Sequence, residues 1–442
     1  MSLPSRSEID NVSDYQFTEI SLISERFSER VDIRELVTDV EIYEHIELPY
    51  LTGRITTVDQ SGFTFAIDFM GGERVEIGLK SSLKGSRTIK KLFYLERIIS
   101  TVKNNDHTEV NHFRIVEDVY YISNLLNINK FYSGDGSTII SNISENFLNK
   151  LVGTNGSDQG DSMKLIVPNL EPLDAMMWVK NRMNTTEGYP FYLFSTLVGN
   201  SLALINLGDM LKNIPVNGGK PLLGYQNAST SMTPGVPSST LNNYQFEESG
   251  NIYKLINQGL YGSEYQFYNT LSNQKNKFTF DVIQDLIAPL IGSDVLQGNP
   301  VPTVTNEYEL DGKPFNEIKS KSITRIGGSG AFRTADAYIT SYDETTLPSD
   351  YKRIVTSKAM FELLKKDPVT FAVDGIKFIS GQGHLTIGNN ILVNFLNSRV
   401  GALDGRKDLK RSGSYLIYAA KHMFKKEKYD LVLTGVKMGK LK

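Results

Sequence analysis

The first third of the chain alternates apolar and polar residues, and this period of two predicts β strands with one buried face. The clearest run is FTFAIDF from Phe63 to Phe69, followed by Gly71 and Gly72 and then by VEIGL from Val75 to Leu79. A three-residue turn ending at Glu73 would place Phe69 opposite Val75 and keep the apolar side chains together. A two-residue turn would set charged residues against them. The pattern therefore predicts a hairpin with a glycine-bulged turn.

A second hairpin is predicted in the same region. Its strands are Leu92–Val102 and Phe113–Tyr121, and its turn lies around Asn104 to Asp106. Residues 1–33, by contrast, are polar with few apolar positions. This composition predicts an arm or a short peripheral helix at the start of the chain.

The period of the pattern changes between residues 123 and 211. Four apolar residues there are spaced for one face of a helix, namely Ile140, Ile143, Phe147 and Leu151. A short strand at Leu165–Val167 precedes a second helix, which has Pro172 in its first turn and Asn169 or a neighbour as its cap. A hairpin follows, with strands at Tyr189–Leu197 and Leu202–Ile205. Helices and strands thus alternate in this region.

Loops and mixed elements dominate the next part of the chain. Residues 212–243 and 293–336 are rich in Pro, Gly, Ser, Thr and Asn, which predicts loops or linkers. Between them the pattern predicts strands around Tyr244–Ile256 and Tyr265–Leu271 and a helical piece near Asp281–Ile291.

A helix at Ser349–Lys366 introduces a final set of predicted strands. These strands are Val369–Val373, Gly375–Ile379, Ile391–Phe395, Tyr415–Ala420 and Tyr429–Val436. The last two carry apolar residues on both faces, so each face needs a cover. A helix or a neighbouring subunit would supply the second cover.

These patterns divide the chain into six predicted parts, β structure at both ends and α+β structure between them. The parts are an N-terminal arm (1–33), a first β-barrel (34–122), an α+β insert domain (123–211), a linker (212–243), a mixed region of strands, helix and loops (244–345), and a helix with a second β-barrel (346–442).

Composition limits the functions open to the chain. Its 442 residues include no cysteine, so disulfides, thiolate metal sites and cysteine nucleophiles are excluded. A formal net charge of -3 argues against a surface that binds nucleic acid as a whole. The N-terminus does not resemble a secretory signal, and no apolar run approaches the length of a membrane span. We therefore expect a chain made in the cytoplasm.

Catalytic and metal-binding motifs are not visible in the sequence. None of the five histidines has a spacing typical of metal ligands. His45 shares one face of a predicted strand with Glu41, Tyr43 and Glu47, and we interpret that face as solvated. The glycine-rich segment at 326–330 lacks the Lys-Ser/Thr ending of a phosphate-binding loop, and no nucleophile elbow occurs. The sequence therefore predicts no enzyme activity, no cofactor and no bound metal.

The C-terminal segment is basic, with 11 Lys plus Arg against 4 Asp plus Glu in residues 401–442. Lys425, Lys426 and Lys428 form the tip of a predicted hairpin. Lysines at such a place either protect a strand edge against aggregation or contact an acidic partner or passing DNA. The sequence leaves both interpretations open, and the three lysines are the candidate partner-contact residues.

Five groups of segments occur along the chain in an order found in a known family. They are Asp32–Val37 with Val40–Glu44, Gly53–Thr56 and Val58–Asp59; Gly71–Glu73; Pro168–Leu173 with Trp178 and Tyr189–Phe194; Asn251–Tyr253 with Gly259–Gly262; and Leu385–Gly388 with Ser412–Ile417 and Leu431–Thr434. In these segments the chain resembles the hub family that includes the baseplate hub of T-even phages and the N-terminal part of type VI secretion spike proteins. The resemblance covers about residues 30–440, and the order of the motifs carries it.

The resemblance implies a β-dominated α+β fold with two tail-tube-like antiparallel β-barrels and inserted α+β domains. Three chains would form a ring whose six barrels adapt a sixfold tail tube to a threefold central spike. Because the type VI proteins continue into a needle and this chain stops at Lys442, the spike is expected to be a separate protein.

The partners implied by this resemblance are two further copies of the chain, the central spike protein and the tail tube protein. Tape-measure and baseplate wedge proteins are further candidates. DNA would only pass through the channel, and no membrane insertion is implied. The expected location is the tail baseplate of a virion assembled in the host cytoplasm.

Two other classes of function remain open. One is a tail-associated cell-wall hydrolase, against which the missing catalytic motif weighs. The other is a receptor-binding or carbohydrate-binding tail protein, which would need an exposed aromatic platform. The 22 Tyr and 22 Phe permit such a platform, although most of them lie in alternating patterns typical of a core.

Overall fold

The structure is a computed structural model of the protein. The residues that it describes are 14–24, 30–67, 69–83, 85–105, 107–154, 162–216, 221–224, 241, 243–247, 252–269, 274–291, 309–318, 322–327, 347–375, 378, 386–395, 408, 411–425 and 427–437.

Seven strands and one short helix form the N-terminal part. In chain order they are β1 (Tyr15–Ile23), β2 (Val31–Asp32), β3 (Val37–His45), β4 (Thr52–Asp59), α1 (Phe63–Ile67), β5 (Arg74–Ser81), β6 (Ile89–Asn105) and β7 (Thr108–Glu117). The strands lie in the spatial order β3-β4-β7-β6-β5-β1-β2, and each neighbouring pair is antiparallel.

This part of the sheet curves around an apolar interior. Leu22 of β1, Ile55 of β4, Val75 of β5, Leu95 of β6 and Phe113 of β7 line one cavity of about 20 Å³. Three strands separate β1 from β4, so the sheet must curl to bring both to the same interior. A space of this size holds about one water molecule, which indicates a packed core rather than a ligand site.

β1 shows that the prediction for residues 1–33 is wrong over the stretch that the structure describes. Tyr15–Ile23 form neither an arm nor a helix but a strand, which pairs with β5 from Tyr15 opposite Ser81 to Ile23 opposite Arg74. Ile20 and Leu22 are buried. An antiparallel strand needs only one apolar face, so a few apolar residues in a polar segment suffice. Residues 1–13 and 25–29 lie outside the described ranges.

The hairpin predicted between Phe63 and Leu79 is also wrong. Phe63–Ile67 form the helix α1, and β5 pairs with β1 and β6, so that Val75 lies opposite Leu22 and Phe93. Both edges of β5 are therefore occupied. Phe63 still packs against the apolar interior, but a turn of helix places it there instead of a strand.

Asp59 stabilises the chain segment that leads into α1. Its carboxylate accepts hydrogen bonds from the backbone N–H of Thr64 at 2.7 Å and of Ser61 at 2.9 Å. Burial acts to raise the pKa of Asp59, but these bonds outweigh burial and lower the pKa to about 2. A bound carboxylate of this kind favours a helix start, which the alternating pattern did not reveal.

The second predicted hairpin is confirmed. β6 and β7 pair from Phe93 opposite Glu117 to Asn105 opposite Thr108. The second strand ends at Glu117, because the next residues form a helix, so Tyr121 lies outside it.

The insert between residues 118 and 212 has its own apolar core. Its elements are α2 (Asp118–Ser123), β8 (Phe131–Asp135), α3 (Gly136–Ile143), a π-helical turn (Ser144–Leu148), β9 (Val152–Thr154), β10 (Ser162–Ile166), α4 (Pro172–Lys180), β11 (Phe191–Phe194), β12 (Leu202–Asn206) and α5 (Leu207–Lys212). The helix around Ile140 and Ile143, the short strand before Val167 and the antiparallel β11–β12 hairpin are confirmed.

Two details of the insert differ from the prediction. α4 begins at Pro172 as expected, but Glu171 occupies the cap position without a side-chain bond, and Asn169 has a left-handed backbone with φ 52°. Asn169 therefore serves the turn before the helix rather than its cap. Leu151 lies beyond the helical segment and is exposed.

The remaining elements bring the chain back to the first sheet. They are β13 (Leu222–Gly224), β14 (Asn243–Phe246), α6 (Ile252–Asn257), β15 (Gly262–Asn269), β16 (Gln274–Asp281), a π-helical turn (Ile283–Ile287), α7 (Ala288–Ile291), β17 (Glu309–Leu310), β18 (Lys313–Pro314), β19 (Ser322–Gly327), α8 (Leu347–Leu364), β20 (Val369–Asp374), β21 (Asn390–Phe395), β22 (Gly413–Lys425) and β23 (Lys428–Val436).

Two predicted strands in this region are corrected. The strand expected at Tyr244–Ile256 ends at Phe246, and α6 takes up its second half. Of the strand expected at Gly375–Ile379, the described residues Gly375 and Phe378 form a turn, in which the N–H of Phe378 donates to the carbonyl of Gly375 at 2.8 Å. Isolated short apolar runs do not distinguish strand from helix or turn.

The two ends of the chain meet in one sheet. β22 pairs with β3 in antiparallel fashion, from Ala419 opposite His45 to Lys425 opposite Asp39. Beyond β22 the sheet continues through β23 and β20 to β14. β21 also pairs with β22, and β13 pairs with β21, so 13 of the strands within the described residues belong to this sheet. The β-dominated α+β class with large antiparallel sheets is therefore confirmed. Within the described residues, the N-terminal and C-terminal strands are curved parts of this one sheet. That each part closes into a barrel stays a prediction.

The predicted cover on both faces of the C-terminal strands is present along one stretch of β22, whereas β23 alternates buried and half-buried residues and leaves Val432 half-buried. Tyr415, Leu416, Ile417 and Tyr418 are all buried. The cover over Tyr418 comes from α8, because the ammonium of Lys365 just beyond this helix lies 5.5 Å from the centre of the Tyr418 ring. This cover therefore comes from the chain itself.

None of the helices within the described ranges combines the length and the apolar composition needed to cross a bilayer.

Gly53 offers a test of how tightly β3, β4 and β7 pack. A β carbon at this position would lie 2.7 Å from the carbonyl oxygen of Glu41 and 2.9 Å from Cγ1 of Ile115. We expect Gly53→Ala to lower the free energy of unfolding by about 1–3 kcal/mol, measured by urea denaturation. Gly153→Ala is the matched control, because its β carbon would meet no atom closer than 3.6 Å. Equal losses for both variants would contradict the close packing.

Candidate partner-contact site

The predicted lysine tip lies at the turn between β22 and β23. Lys425 and Lys428 face each other across the turn, which Glu427 forms with a left-handed backbone at φ 65°. The ammonium of Lys425 lies 3.2 Å from Asp39, and that of Lys428 lies 2.9 Å from Asp430. Both lysine side chains are largely exposed. Lys426 lies outside the described residues.

For Lys425 the structure weighs against the first interpretation of these lysines, which was the protection of an open strand edge. Lys425 of β22 pairs with Lys428 of β23 on one side and with Asp39 of β3 on the other. Neither side of β22 is free at this point. Contact with a partner stays a prediction for the three lysines.

The residue just before β1 is fastened to the same turn. The N–H of Asp14 donates to the carbonyl of Glu427 at 2.9 Å, and the N–H of Tyr429 donates to the carboxylate of Asp14 at 3.2 Å. Tyr15 then packs edge-to-face on Phe424 at 5.0 Å. The hairpin tip is therefore held by strands from both ends of the chain.

A fully buried polar cluster lies below the β3–β22 pair. Nε2 of His422 lies 3.3 Å from Oε1 of Glu44, and Nδ1 of His422 lies 2.6 Å from the hydroxyl of Tyr429. The N–H of Leu197, in the insert, donates to the same Glu44 oxygen at 2.5 Å. Glu44 thus connects the first strands, the last strands and the insert. Because all three side chains are enclosed, the cluster has the geometry of a joint and not of a reaction site.

A second buried cluster joins the first strands to the insert. Oε1 of Glu117, at the end of β7, lies 3.3 Å from the ammonium groups of both Lys91 and Lys150, and Oε2 accepts the N–H of Leu51 at 2.9 Å. The Lys91 ammonium also donates to the carbonyl of Gly199 at 2.6 Å, in the turn between β11 and β12. Three segments therefore contact Glu117 directly, and Lys91 connects it to a fourth.

Burial and charge oppose each other in this second cluster. Burial acts to raise the pKa of Glu117, but Lys91 and Lys150 outweigh it and hold the pKa below its usual range. Burial also lowers the pKa of Lys91, although Glu117 works against this. An ion pair so deeply enclosed is costly to break, because one charge would be left buried without its partner.

Sequence reasoning missed both clusters, although a signal for the first was present. Val40, Ile42 and Glu44 alternate along β3 and are all buried. A carboxylate in the apolar row of a strand indicates a buried polar partner. The buried row of β22 contains such a partner, His422, two residues after Ala420.

His45 lies on the face of β3 opposite to the one that carries Glu44. Glu41 on this face lies 3.0 Å from Arg54 and 3.1 Å from Lys421, so cations from neighbouring strands neutralise it. His45 itself is half-buried, and burial lowers its pKa. Within the described ranges, no three His, Asp or Glu side chains are placed to hold a metal ion.

Two solved structures of tail proteins share the fold of this chain. The tail protein from Neisseria meningitidis MC58 has a TM-score of 0.52 at 10% identity, with 96% of this chain and 96% of that chain covered. The 43 kDa tail protein of prophage MuSo2 from Shewanella oneidensis has a TM-score of 0.50 at 12% identity, with 95% and 98% covered. No family model and no curated protein matches the sequence. The predicted resemblance to tail proteins is thus confirmed as a likeness of fold.

Glu117 gives a test of the joint between the first strands and the insert. We expect Glu117→Gln to lower the free energy of unfolding at neutral pH by about 3–5 kcal/mol, because Lys91 loses its buried counter-ion. Glu96→Gln is the matched control, since Glu96 and Arg114 form a partly exposed ion pair at 2.8 Å, for which about 0–1 kcal/mol is expected.

The pH dependence of this loss has a defined sign. The folded pKa of Glu117 lies below its unfolded value of about 4.3, so the stabilisation is complete above that value and decreases as the pH falls through the folded pKa. The difference between the wild type and Glu117→Gln, measured by urea denaturation, should therefore be constant near neutral pH and shrink in acid. A difference that grows in acid would contradict this role.

Proposed function

We propose that the chain is a structural hub of a contractile, phage-type tail baseplate. The observation that carries this proposal is the match to tail proteins over almost the whole chain, with 96% of this chain and of the Neisseria meningitidis tail protein covered. A match of this extent includes both β-rich ends and the insert, so it concerns the whole architecture and not a common small domain.

The proposed assembly is a homotrimeric ring around a central channel. Each chain has a curved β part at either end, one made of β1–β7 and one that includes β20–β23, joined through β3 and β22. Three chains would supply six such parts, which is the number needed to face a sixfold tail tube while keeping a threefold axis for a central spike. Closed rings of this kind use heterologous contacts between identical chains.

The proposed partners follow from this position in the tail. They are the tail tube protein on one side of the ring and the central spike protein on the other, with tape-measure and baseplate wedge proteins as further candidates. DNA would only pass through the channel. The proposed location is the virion tail, after assembly in the host cytoplasm.

The proposed role is structural and not enzymatic. Four charged or titratable groups are enclosed and in contact with other parts of the chain, namely Glu44, His422, Glu117 and Lys91. Groups buried in this way hold segments together and cannot reach a substrate. This arrangement favours a hub over a cell-wall hydrolase.

The solution mass of the purified chain tests the ring. Three chains of 49.5 kDa would give a particle of about 150 kDa, and negative-stain images should show a ring with a central hole. Light scattering coupled to size-exclusion chromatography measures the mass. A chain that stays monomeric even when mixed with the tail tube and spike proteins would contradict the proposal, as would hydrolysis of purified peptidoglycan.

Charge reversal tests the lysine tip as a partner contact. We expect Lys425→Glu with Lys428→Glu, and more so with Lys426→Glu added, to weaken assembly of the hub with its neighbours and to lower particle infectivity. The control is Lys103→Glu with Lys277→Glu, two exposed lysines that also lie near acidic side chains, at 3.2 and 3.5 Å. Unchanged assembly and infectivity in the tip variants would exclude the contact.

A further inference from the structure

A cleft of about 440 Å³ lies between the insert and the long helix α8. The end of α4 and the start of β11 form one wall, with Lys180, Asn184 and Phe191, and α8 forms the other, with Ser357, Phe361 and Glu362. Its volume is in the range of binding sites for small ligands or short peptide segments. The cleft is separate from the lysine tip and from both buried clusters.

Lys180 is the most unusual side chain in the cleft. It is 7% exposed, and within the described part of the chain no hydrogen bond or ion pair engages its ammonium. Burial lowers its pKa to about 8; Glu47 acts to raise the pKa, and Lys365 acts to lower it. A cation held in this way costs stability unless an anion joins it.

Asn184 supplies a second unfulfilled group on the same wall. It is 6% exposed, and its side-chain oxygen accepts no hydrogen bond within the described residues. A buried acceptor of this kind favours a ligand that brings a donor. A ligand matched to the wall therefore offers a negative oxygen for Lys180 and an N–H for Asn184.

The charges around the cleft leave it positive. Glu362 lies 2.9 Å from the ammonium of Lys254, and Glu47 is in contact with Lys365, so both nearby carboxylates already face a cation. This balance attracts an acidic ligand and disfavours a basic one.

We propose that this cleft binds an acidic segment of a partner polypeptide, with an Asp or Glu carboxylate at the Lys180 ammonium and a backbone N–H at the Asn184 oxygen. A peptide offers both groups at a short distance from each other, whereas a simple anion offers mainly acceptors. The site does not depend on the hub role, because it follows from the cleft, the buried cation and the buried acceptor alone.

The test uses acetylation of the full-length protein by acetic anhydride at a series of pH values, with mass spectrometry reporting each lysine. The probe is the peptide acetyl-Gly-Glu-Ala-Gly-amide, compared with its Gln counterpart and with inorganic phosphate. Without a ligand, Lys180 should titrate near pH 8. A carboxylate beside it should raise the pKa by about one unit or more, which slows acetylation at pH 8 about fivefold. Lys352, an exposed lysine on α8, should not respond.

Two variants distinguish binding from a structural role. Lys180→Met should abolish binding of the Glu peptide, measured by calorimetry, and should raise the melting temperature because the buried charge is gone. Lys180→Arg keeps the charge and should retain binding. The proposal is overturned if the Gln peptide or phosphate protects Lys180 as well as the Glu peptide does, or if Lys180→Met still binds the peptide. A lower melting temperature for Lys180→Met would also overturn it, because it would give the lysine a supporting role only.

Discussion

The pairing of β3 with β22 is the constraint on which the rest of the structure depends. It joins segments that are more than 370 residues apart in the chain, so a large loss of chain entropy accompanies its formation. Seven register pairs from His45 to Asp39 offset that loss, and Glu44 and His422 meet below them in the apolar interior. Once this pair has formed, the first and last strands share one sheet, and the insert is held against it through the backbone of Leu197.

Buried charges serve in this protein as joints between parts of the chain. Glu44 connects both ends with the insert, and Glu117 holds Lys91, which donates to the turn that contains Gly199. Apolar packing is not directional, whereas an enclosed carboxylate tolerates few arrangements, because every oxygen left without a partner is costly. Such joints fix the relative positions of the parts that they connect. Lys180 differs from these groups, since no ion pair within the described residues engages its ammonium, and it lines a cleft instead.

Much of the element sequence could be predicted from local patterns. The β6–β7 and β11–β12 hairpins, the helix at Pro172 and the long α8 helix all have strong periodicity or clear boundary residues, and all are present. The errors occurred where the pattern was equally compatible with another state. FTFAIDF alternates as a strand does, yet Asp59 and the occupied edges of β5 favour a helix there. The polar start of the chain hid a strand because one apolar face was enough.

The sequence by itself determined the β-dominated α+β class, the order of most elements and the two-faced apolar strands at the C-terminus. It determined these because helix and strand periods are local properties of the chain. Only the tertiary structure decided that both ends share one sheet, that Glu44 meets His422, and that Lys180 and Asn184 line one cleft with α8. These facts depend on contacts between residues tens to hundreds of positions apart, and the period of two or 3.6 residues carries no information about such contacts.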